Sequence, residues 1–254
     1  MTDLFSLEGK AALVTGGGSG LGQAIAVGLA SAGARVAVTG RDLGKLNETV
    51  NMITETGASA VAIEMDILDS DSVNDAVSRA VEEFGQIDIL VNSAGVHLKK
   101  QTLEVTDEEW TRVIDTNLTG SFRVCRAVAT QMKVQGSGKI INIASLGSFV
   151  ALKDAAAYTS SKAGVVLLTK NLAVELAQFN IQVNAIAPGV FRTALNSKVL
   201  VGERLERILA NTPMNRLGVP EELAGTAVYL SSKASDFVTG AVIPVDGGFL
   251  AWGI

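Results

Sequence analysis

The stretch AALVTGGGSGLGQAIAVGLA, residues 11–30, holds the fold in miniature. Ala11–Val14 is a short apolar run of the kind that forms a buried strand. Glycines then interrupt the chain, and Leu21, Ile25, Gly28, Leu29 and Ala32 return at helical spacing. The same alternation recurs. Apolar runs at Val36–Val38, Ala60–Ile63, Ile87–Val91, Ile140–Ile143, Ile181–Ile186 and Ala241–Val245 are separated by longer amphipathic stretches. Strands alternating with helices predict a parallel sheet covered on both faces, with right-handed crossovers. No linker, repeat or change of composition divides the 254 residues. Residues 1–254 therefore read as one α/β domain, a doubly wound parallel sheet of seven strands flanked by helices.

Local signals refine this outline. Pro244 cannot donate a ladder hydrogen bond, so the last strand is expected at a sheet edge. Thr106-Asp107-Glu108-Glu109 has the form of a capping box, which makes the acidic run a helix start rather than a metal site. Val190 to Pro213 breaks the rhythm between the sixth strand and the next helix. A substrate lid is expected there, at about residues 190–215.

Composition narrows the class. A net charge of -5 argues against nucleic acid or an anionic membrane as partner. No apolar run reaches the length of about 18 residues that spans a bilayer. The opening MTDLFSLEGK has no apolar core of signal-peptide length. The single cysteine, Cys125, fits a reducing, cytoplasmic setting and reads as a small buried hydrophobe on a helix.

The glycine turn is the first chemical signal. Gly16, Gly20 and Gly22 are spaced G-x-x-x-G-x-G, a variant of the common dinucleotide fingerprint. The helix opened by Gly20 and Leu21 offers free N–H groups and a positive dipole end to a pyrophosphate, in the manner of a Rossmann-type fold. An acid that would bind the ribose of NAD is missing from the tip of strand two, which ends in Gly40-Arg41. An arginine grips a 2′-phosphate with two hydrogen bonds, so NADP is expected over NAD. Asp42 is read as the N-cap of the following helix.

The strand ends supply a second signal, because ligands of open α/β sheets bind beyond the carboxyl ends of the strands. Gly16, Asp66, Asn92, Ser145 and Pro188 all fall at such ends. Tyr158 and Lys162, in YTSSK, open the helix after strand five and share a face at i and i+4. Ser145 is expected to face Tyr158 across the loop.

With these residues in place the sequence resembles the short-chain dehydrogenase/reductase family along essentially its whole length. The resemblance rests on TGGGSGLG, Asp66-Ile67, N-S-A-G at 92–95, Asn117, Ser145, Y-x-x-x-K at 158–162, and Pro188-Gly189 with Thr193. Ser93 departs from the second asparagine usual in the family, at a position that mainly shapes a turn. The resemblance implies a catalytic set of Asn117, Ser145, Tyr158 and Lys162. It also implies a cofactor site at Gly16, Ser19, Gly20, Leu21 and Gly22 for the pyrophosphate. Arg41, Asp66, Ile67, Asn92, Ala94 and Gly95 would lie on the adenosine side. Pro188, Gly189, Val190 and Thr193, with Tyr158 and Lys162, would lie on the nicotinamide side. Lys162 would hold the nicotinamide ribose, and Asn117 would position a proton-relay water. The family further implies a homotetramer.

A free tyrosine has a pKa of about 10. An ammonium at about 4 Å, in an effective dielectric near 20, contributes roughly 4 kcal/mol, up to about three pKa units. Lys162 is therefore expected to bring Tyr158 toward neutrality, with Ser145 stabilising charge on the substrate oxygen. His97 is a rival base, a pocket wall or a structural residue.

His97, Lys99, Lys100, Lys153 and Arg192 would place several cations near the crevice and favour an anionic small-molecule carbonyl or alcohol substrate. FSLEGK, the basic pair Lys99-Lys100 and the ending VDGGFLA resemble the gluconate 5-dehydrogenase-like members, implying a keto-sugar acid or polyol. A 3-oxoacyl-carrier-protein reductase and a non-catalytic dinucleotide sensor are the alternatives.

Overall fold

In a computed structural model, residues 2–193 and 201–252 are described. The strands are β1 Ala11–Thr15, β2 Arg35–Gly40, β3 Ala60–Glu64, β4 Ile89–Asn92, β5 Gly138–Ile143, β6 Ile181–Pro188 and β7 Val242–Val245. They form one parallel sheet in the order β3-β2-β1-β4-β5-β6-β7. The winding reverses between β1 and β4, which opens a crevice at their carboxyl ends. Pro244 lies in β7 at the sheet edge, as its missing donor requires. The fourth strand begins two residues later than its apolar run. Just before it, the Asp88 backbone still bonds to Ala11 and Lys139, while its carboxylate accepts from the Ala11 N–H and the Lys10 ammonium, both at 2.9 Å.

Helices cover both faces. On one lie α1 Gly20–Ser31, α2 Leu43–Thr54 and α8 Glu221–Ser231, burying Ile25, Leu29, Leu46, Ile53, Leu223 and Leu230 against the sheet. On the other lie α3 Ser70–Phe84, α5 Gly120–Gln135 and part of α6 Ala156–Leu176, burying Val73, Phe84, Val124, Val128 and Met132. Each such side chain contributes about 1.5–3 kcal/mol by leaving water. α1 and α8 cross so closely that a Cβ on Gly28 would collide with the Cβ of Ala224.

Asp42 caps α2, accepting from the Lys45 N–H at 3.2 Å. The capping box opens α4, Asp107–Ile114, with Thr106 and Glu109 exchanging hydrogen bonds of 3.3 and 3.0 Å. A π-helical turn, Asp115–Thr119, joins α4 to α5. Cys125 is fully buried, and burial pushes its thiol up to about 12, far from thiolate chemistry.

The segment after β6 differs from its reading as one long insertion. It contains a helix, α7 Gly202–Ala210, whose Leu205, Ile208 and Leu209 sit at i, i+3 and i+4. No residue of α7 is fully buried. The middle of the expected lid, residues 194–200, lies outside the described residues. Among the described residues, no helix is long and apolar enough to cross a membrane.

Candidate active site

The turn between β1 and α1 is shaped by what it must avoid. Gly16 and Gly20 adopt φ of +66° and +58°, where only glycine is unstrained. A Cβ on Gly16 would lie 2.9 Å from the Ala94 backbone, and one on Gly22 would collide with the Gly16 carbonyl. The turn is fixed from β4 by Thr15, whose Oγ1 accepts from the N–H groups of Ser93 (3.1 Å) and Ala94 (3.0 Å). The Ser93 hydroxyl packs against Gly22, at 3.2 Å from where a Cβ would stand. This backbone cradle, at the positive end of α1, fits the pyrophosphate of a dinucleotide.

Beside it opens a cleft of about 300 Å³ lined by Gly16, Thr39, Gly40, Arg41, Asp66, Ile67, Ala94 and Gly95, among others. Arg41 thus borders the space beyond the tip of β2. The acid that follows Arg41, Asp42, is committed to capping α2 and to Lys45 at 3.4 Å. Arg112 and Thr116 also line the cleft. Neither was evident in the sequence, because α4 and the π-helical turn after it reach the cleft only through the fold.

Asn92 corrects an expectation. Its side chain does not face the cleft; it is buried, and its Nδ2 donates to Asn142 Oδ1 (3.0 Å) and Cys125 Sγ (3.1 Å). Asn142 continues to Thr169 Oγ1 at 2.9 Å, so this polar row ties β4 and β5 to α6. The alternation of side chains along a strand sends Asn92 inward, while the following turn faces the ligand.

The remaining residues converge at the carboxyl ends of β4, β5 and β6. Ser145 follows β5 and caps a short 3-10 turn, Leu146–Ser148, accepting from the Gly147 N–H at 3.0 Å. The Ser145 hydroxyl is also close enough to Tyr158 to favour its ionised form. Tyr158 and Lys162 occupy the first turns of α6, one turn apart. The His97 ring stacks on Tyr158, with centroids 4.5 Å apart and planes tilted by 43°. Asn117, in the π-helical turn, accepts from the Val96 N–H (2.8 Å) and donates to the Val96 carbonyl (2.9 Å) and Ser161 Oγ (3.0 Å). A Cβ on Gly95 would lie 3.1 Å from Asn117 Oδ1 and 3.7 Å from Lys162 Nζ. Asn117, Lys162 and the 92–95 turn therefore share one small volume.

The electrostatics overturn the expected Tyr158 pKa. Burial pushes the Tyr158 phenol above its ordinary value, and the Ser145 hydrogen bond only partly offsets this. Lys162 does not act on it as anticipated. Its ammonium donates to the Ile143 carbonyl at 2.7 Å, and burial lowers its own pKa to about 8. The phenol is held protonated in this state.

The loop after β6 folds back over the glycine turn. Gly189 donates to the Val245 carbonyl at 2.9 Å and leaves no room for a Cβ beside Asp246. Val190 and Phe191 wall a second cavity of about 150 Å³. The Thr193 methyl would lie 3.8 Å from a Cβ on Gly20. Of the expected cations, Lys100 is neutralised by Glu109 at 2.8 Å, while Lys153 and Arg192 are exposed. His97 is exposed, and partial desolvation against the cleft, then the charges of Arg204 and Lys99, hold it below its usual pKa. Arg204, on α7, is the member of this group that sequence reading missed.

A reversed parallel winding with a glycine cradle at the switch point defines a nucleotide-binding α/β protein. The chain belongs to the short-chain dehydrogenase/reductase family. The family model that matches residues 16–250 bears the description Enoyl-(Acyl carrier protein) reductase. The 2-dehydro-3-deoxy-D-gluconate 5-dehydrogenase of Escherichia coli (strain K12) is 43% identical over 249 residues, 97% of this chain and 98% of that protein. The 5-keto-D-gluconate 5-reductase of the same strain is 40% identical over 251 residues, 98% of this chain and 99% of that protein. Among solved structures, a gluconate 5-dehydrogenase from Burkholderia cenocepacia J2315 in complex with NADP and tartrate superposes with a TM-score of 0.95. It shares 36% identity and covers 99% of each chain.

Proposed function

We propose that the chain is an NADP-dependent oxidoreductase interconverting a ketone and a secondary alcohol of a sugar acid, in the manner of gluconate 5-dehydrogenase. The observation that carries this reading is the meeting of Ser145, Tyr158 and Lys162 beside the 92–95 turn and the glycine cradle. The names of the relatives that match end to end supply the substrate class, where the family model's description names an acyl-carrier reaction instead. Full-length identity near 40% to sugar-acid enzymes favours the former.

Gly16, Ser19, Gly20, Leu21 and Gly22 hold the pyrophosphate, and Asp66, Ile67, Ala94 and Gly95 border the adenosine. Pro188, Gly189, Val190 and Thr193 form the nicotinamide wall. Bound NADPH supplies a hydride to the carbonyl carbon. Ser145 donates a hydrogen bond to the carbonyl oxygen, and Tyr158, kept as the neutral phenol, gives its proton to that oxygen as charge develops there. Lys162, held by the Ile143 carbonyl, would donate to the nicotinamide ribose when the cofactor is bound. Asn117 has committed both Nδ2 hydrogens to Val96 and Ser161, so a relay water would rest on its remaining Oδ1 lone pair or on other groups. The chain works in the cytoplasm as a homotetramer, a state for which light scattering is the check.

Arg41→Ala is expected to raise the Kd for NADPH by about 10- to 100-fold, since a charge-assisted pair with phosphate is lost, and to leave that for NADH nearly unchanged. Fluorescence titration with each cofactor measures this; equal losses for both would remove Arg41 from the 2′-phosphate. The substrate is tested by NADPH consumption with 5-keto-D-gluconate and with an acetoacetyl thioester. Faster turnover of the thioester would transfer the assignment to the acyl-carrier branch, and no turnover of any carbonyl would favour a non-catalytic sensor.

A further inference from the structure

We infer that Arg204, carried by α7, grips the carboxylate of the substrate and sets the preference for sugar acids over uncharged ketoses. The inference rests on the sugar-acid reading above. It begins from where α7 stands. The chain leaves β6 over the glycine turn. It re-enters the fold after α7 through Thr212, whose methyl would meet a Cβ on Gly247 at 2.8 Å, and Met214, whose N–H donates to the Gly247 carbonyl at 3.1 Å. α7 is thereby anchored at the carboxyl ends of β6 and β7, the same end of the sheet as Ser145.

On this helix Arg204 is half-buried, whereas Arg207 is exposed. Arg204 has no hydrogen-bond or ion-pair partner among the described residues. A guanidinium drawn partly out of water without an anion is costly, and its planar fork is shaped for a carboxylate. The neighbouring charges do not supply one. Both charges that act on His97 are cationic, Arg204 and Lys99, and the His97 ring rests on Tyr158 at 4.5 Å. Arg204 is therefore felt one ring away from the proton donor. In a 5-keto sugar acid the carboxylate lies toward the opposite end of the carbon chain from the reacting carbonyl. A cation set back from Tyr158 by the His97 ring, as Arg204 is, suits that far end. Lys100 is excluded because Glu109 already occupies it.

The test compares Arg204→Gln and Arg204→Lys with the wild type on 5-keto-D-gluconate and on L-sorbose, an uncharged six-carbon ketose, with saturating NADPH. For Arg204→Gln the KM for 5-keto-D-gluconate is expected to rise about 10- to 100-fold with kcat within about threefold. kcat/KM for L-sorbose is expected to move by less than about threefold, and Arg204→Lys to recover part of the loss. Calorimetric binding of D-gluconate to the NADP-loaded protein should weaken in parallel. An unchanged KM in Arg204→Gln, or equal losses on both substrates in both variants, would overturn the inference while leaving the sugar-acid reading intact. Failure of the wild type to reduce 5-keto-D-gluconate would overturn both.

Discussion

Replacing Tyr158 by Phe is expected to lower kcat for ketone reduction by about 10²- to 10⁴-fold, the usual contribution of a placed general acid. The Kd for NADPH is expected to stay within about threefold, because the glycine cradle and the cleft at Arg41 do not touch the phenol. The fold should tolerate the change. Ser145 keeps its hydrogen bond from the Gly147 N–H, so loss of the phenol leaves no orphaned hydroxyl. Steady-state reduction together with NADPH titration of the same sample provides the check. Turnover at the wild-type rate would sink the assignment of Tyr158 as proton donor. Because burial holds the phenol above its ordinary pKa, this residue should ionise at a higher pH than an exposed tyrosine in the unliganded protein, as read by ultraviolet titration of wild type against Tyr158→Phe.

Lys162→Met makes the opposite demands on activity and stability. Activity should fall by orders of magnitude, yet the protein should become more stable at neutral pH. The ammonium is buried and donates to the Ile143 carbonyl, and its pKa falls from 10.5 to about 8. At 1.36 kcal/mol per unit this is roughly 3 kcal/mol against the charged form. Methionine removes that cost but orphans the Ile143 carbonyl, at about 1 kcal/mol. The net gain is about 2 kcal/mol, or about 4–8 °C in Tm for a chain of this size. The sign with pH follows from linkage. Between about pH 8 and 10.5 the folded lysine binds fewer protons than the unfolded one, so wild-type stability rises through that window and the variant's advantage shrinks. Thermal unfolding at pH 7 and pH 10 measures both; a variant less stable than wild type at pH 7 would refute the account.

What the sequence disclosed and withheld divides along physical lines. Features set by a few adjacent residues were legible: the strand–glycine–helix opening, the Thr106 capping box, the edge strand marked by Pro244, the turn that binds Tyr158 and Lys162 into one helix. Features set by direction through space were not. Nothing adjacent to Asn92 announces that its amide turns inward to Asn142, 50 residues away. Nothing near Lys162 announces the Ile143 carbonyl as its partner, so a Tyr–Lys coupling assumed from spacing failed on where the stem points. Arg204 lay in a segment read as irregular. The spacing of Leu205, Ile208 and Leu209 was the signal for α7, obscured by the lack of an N-capping side chain at Val201.

The π-helical turn at Asp115–Thr119 carries a consequence for how the rod from Asp107 to Gln135 can change. An α-helix advances about 100° per residue, so the widened turn acts as a phase shifter between its two halves. Upstream of it, Arg112 lines the cleft beside Arg41; downstream, Gly120 seats against Ile67. Losing one residue there would let the backbone relax into a regular helix. It would also swing one half out of azimuth with the other, breaking the clasp of Asn117 on Val96 without altering a single residue that meets a ligand.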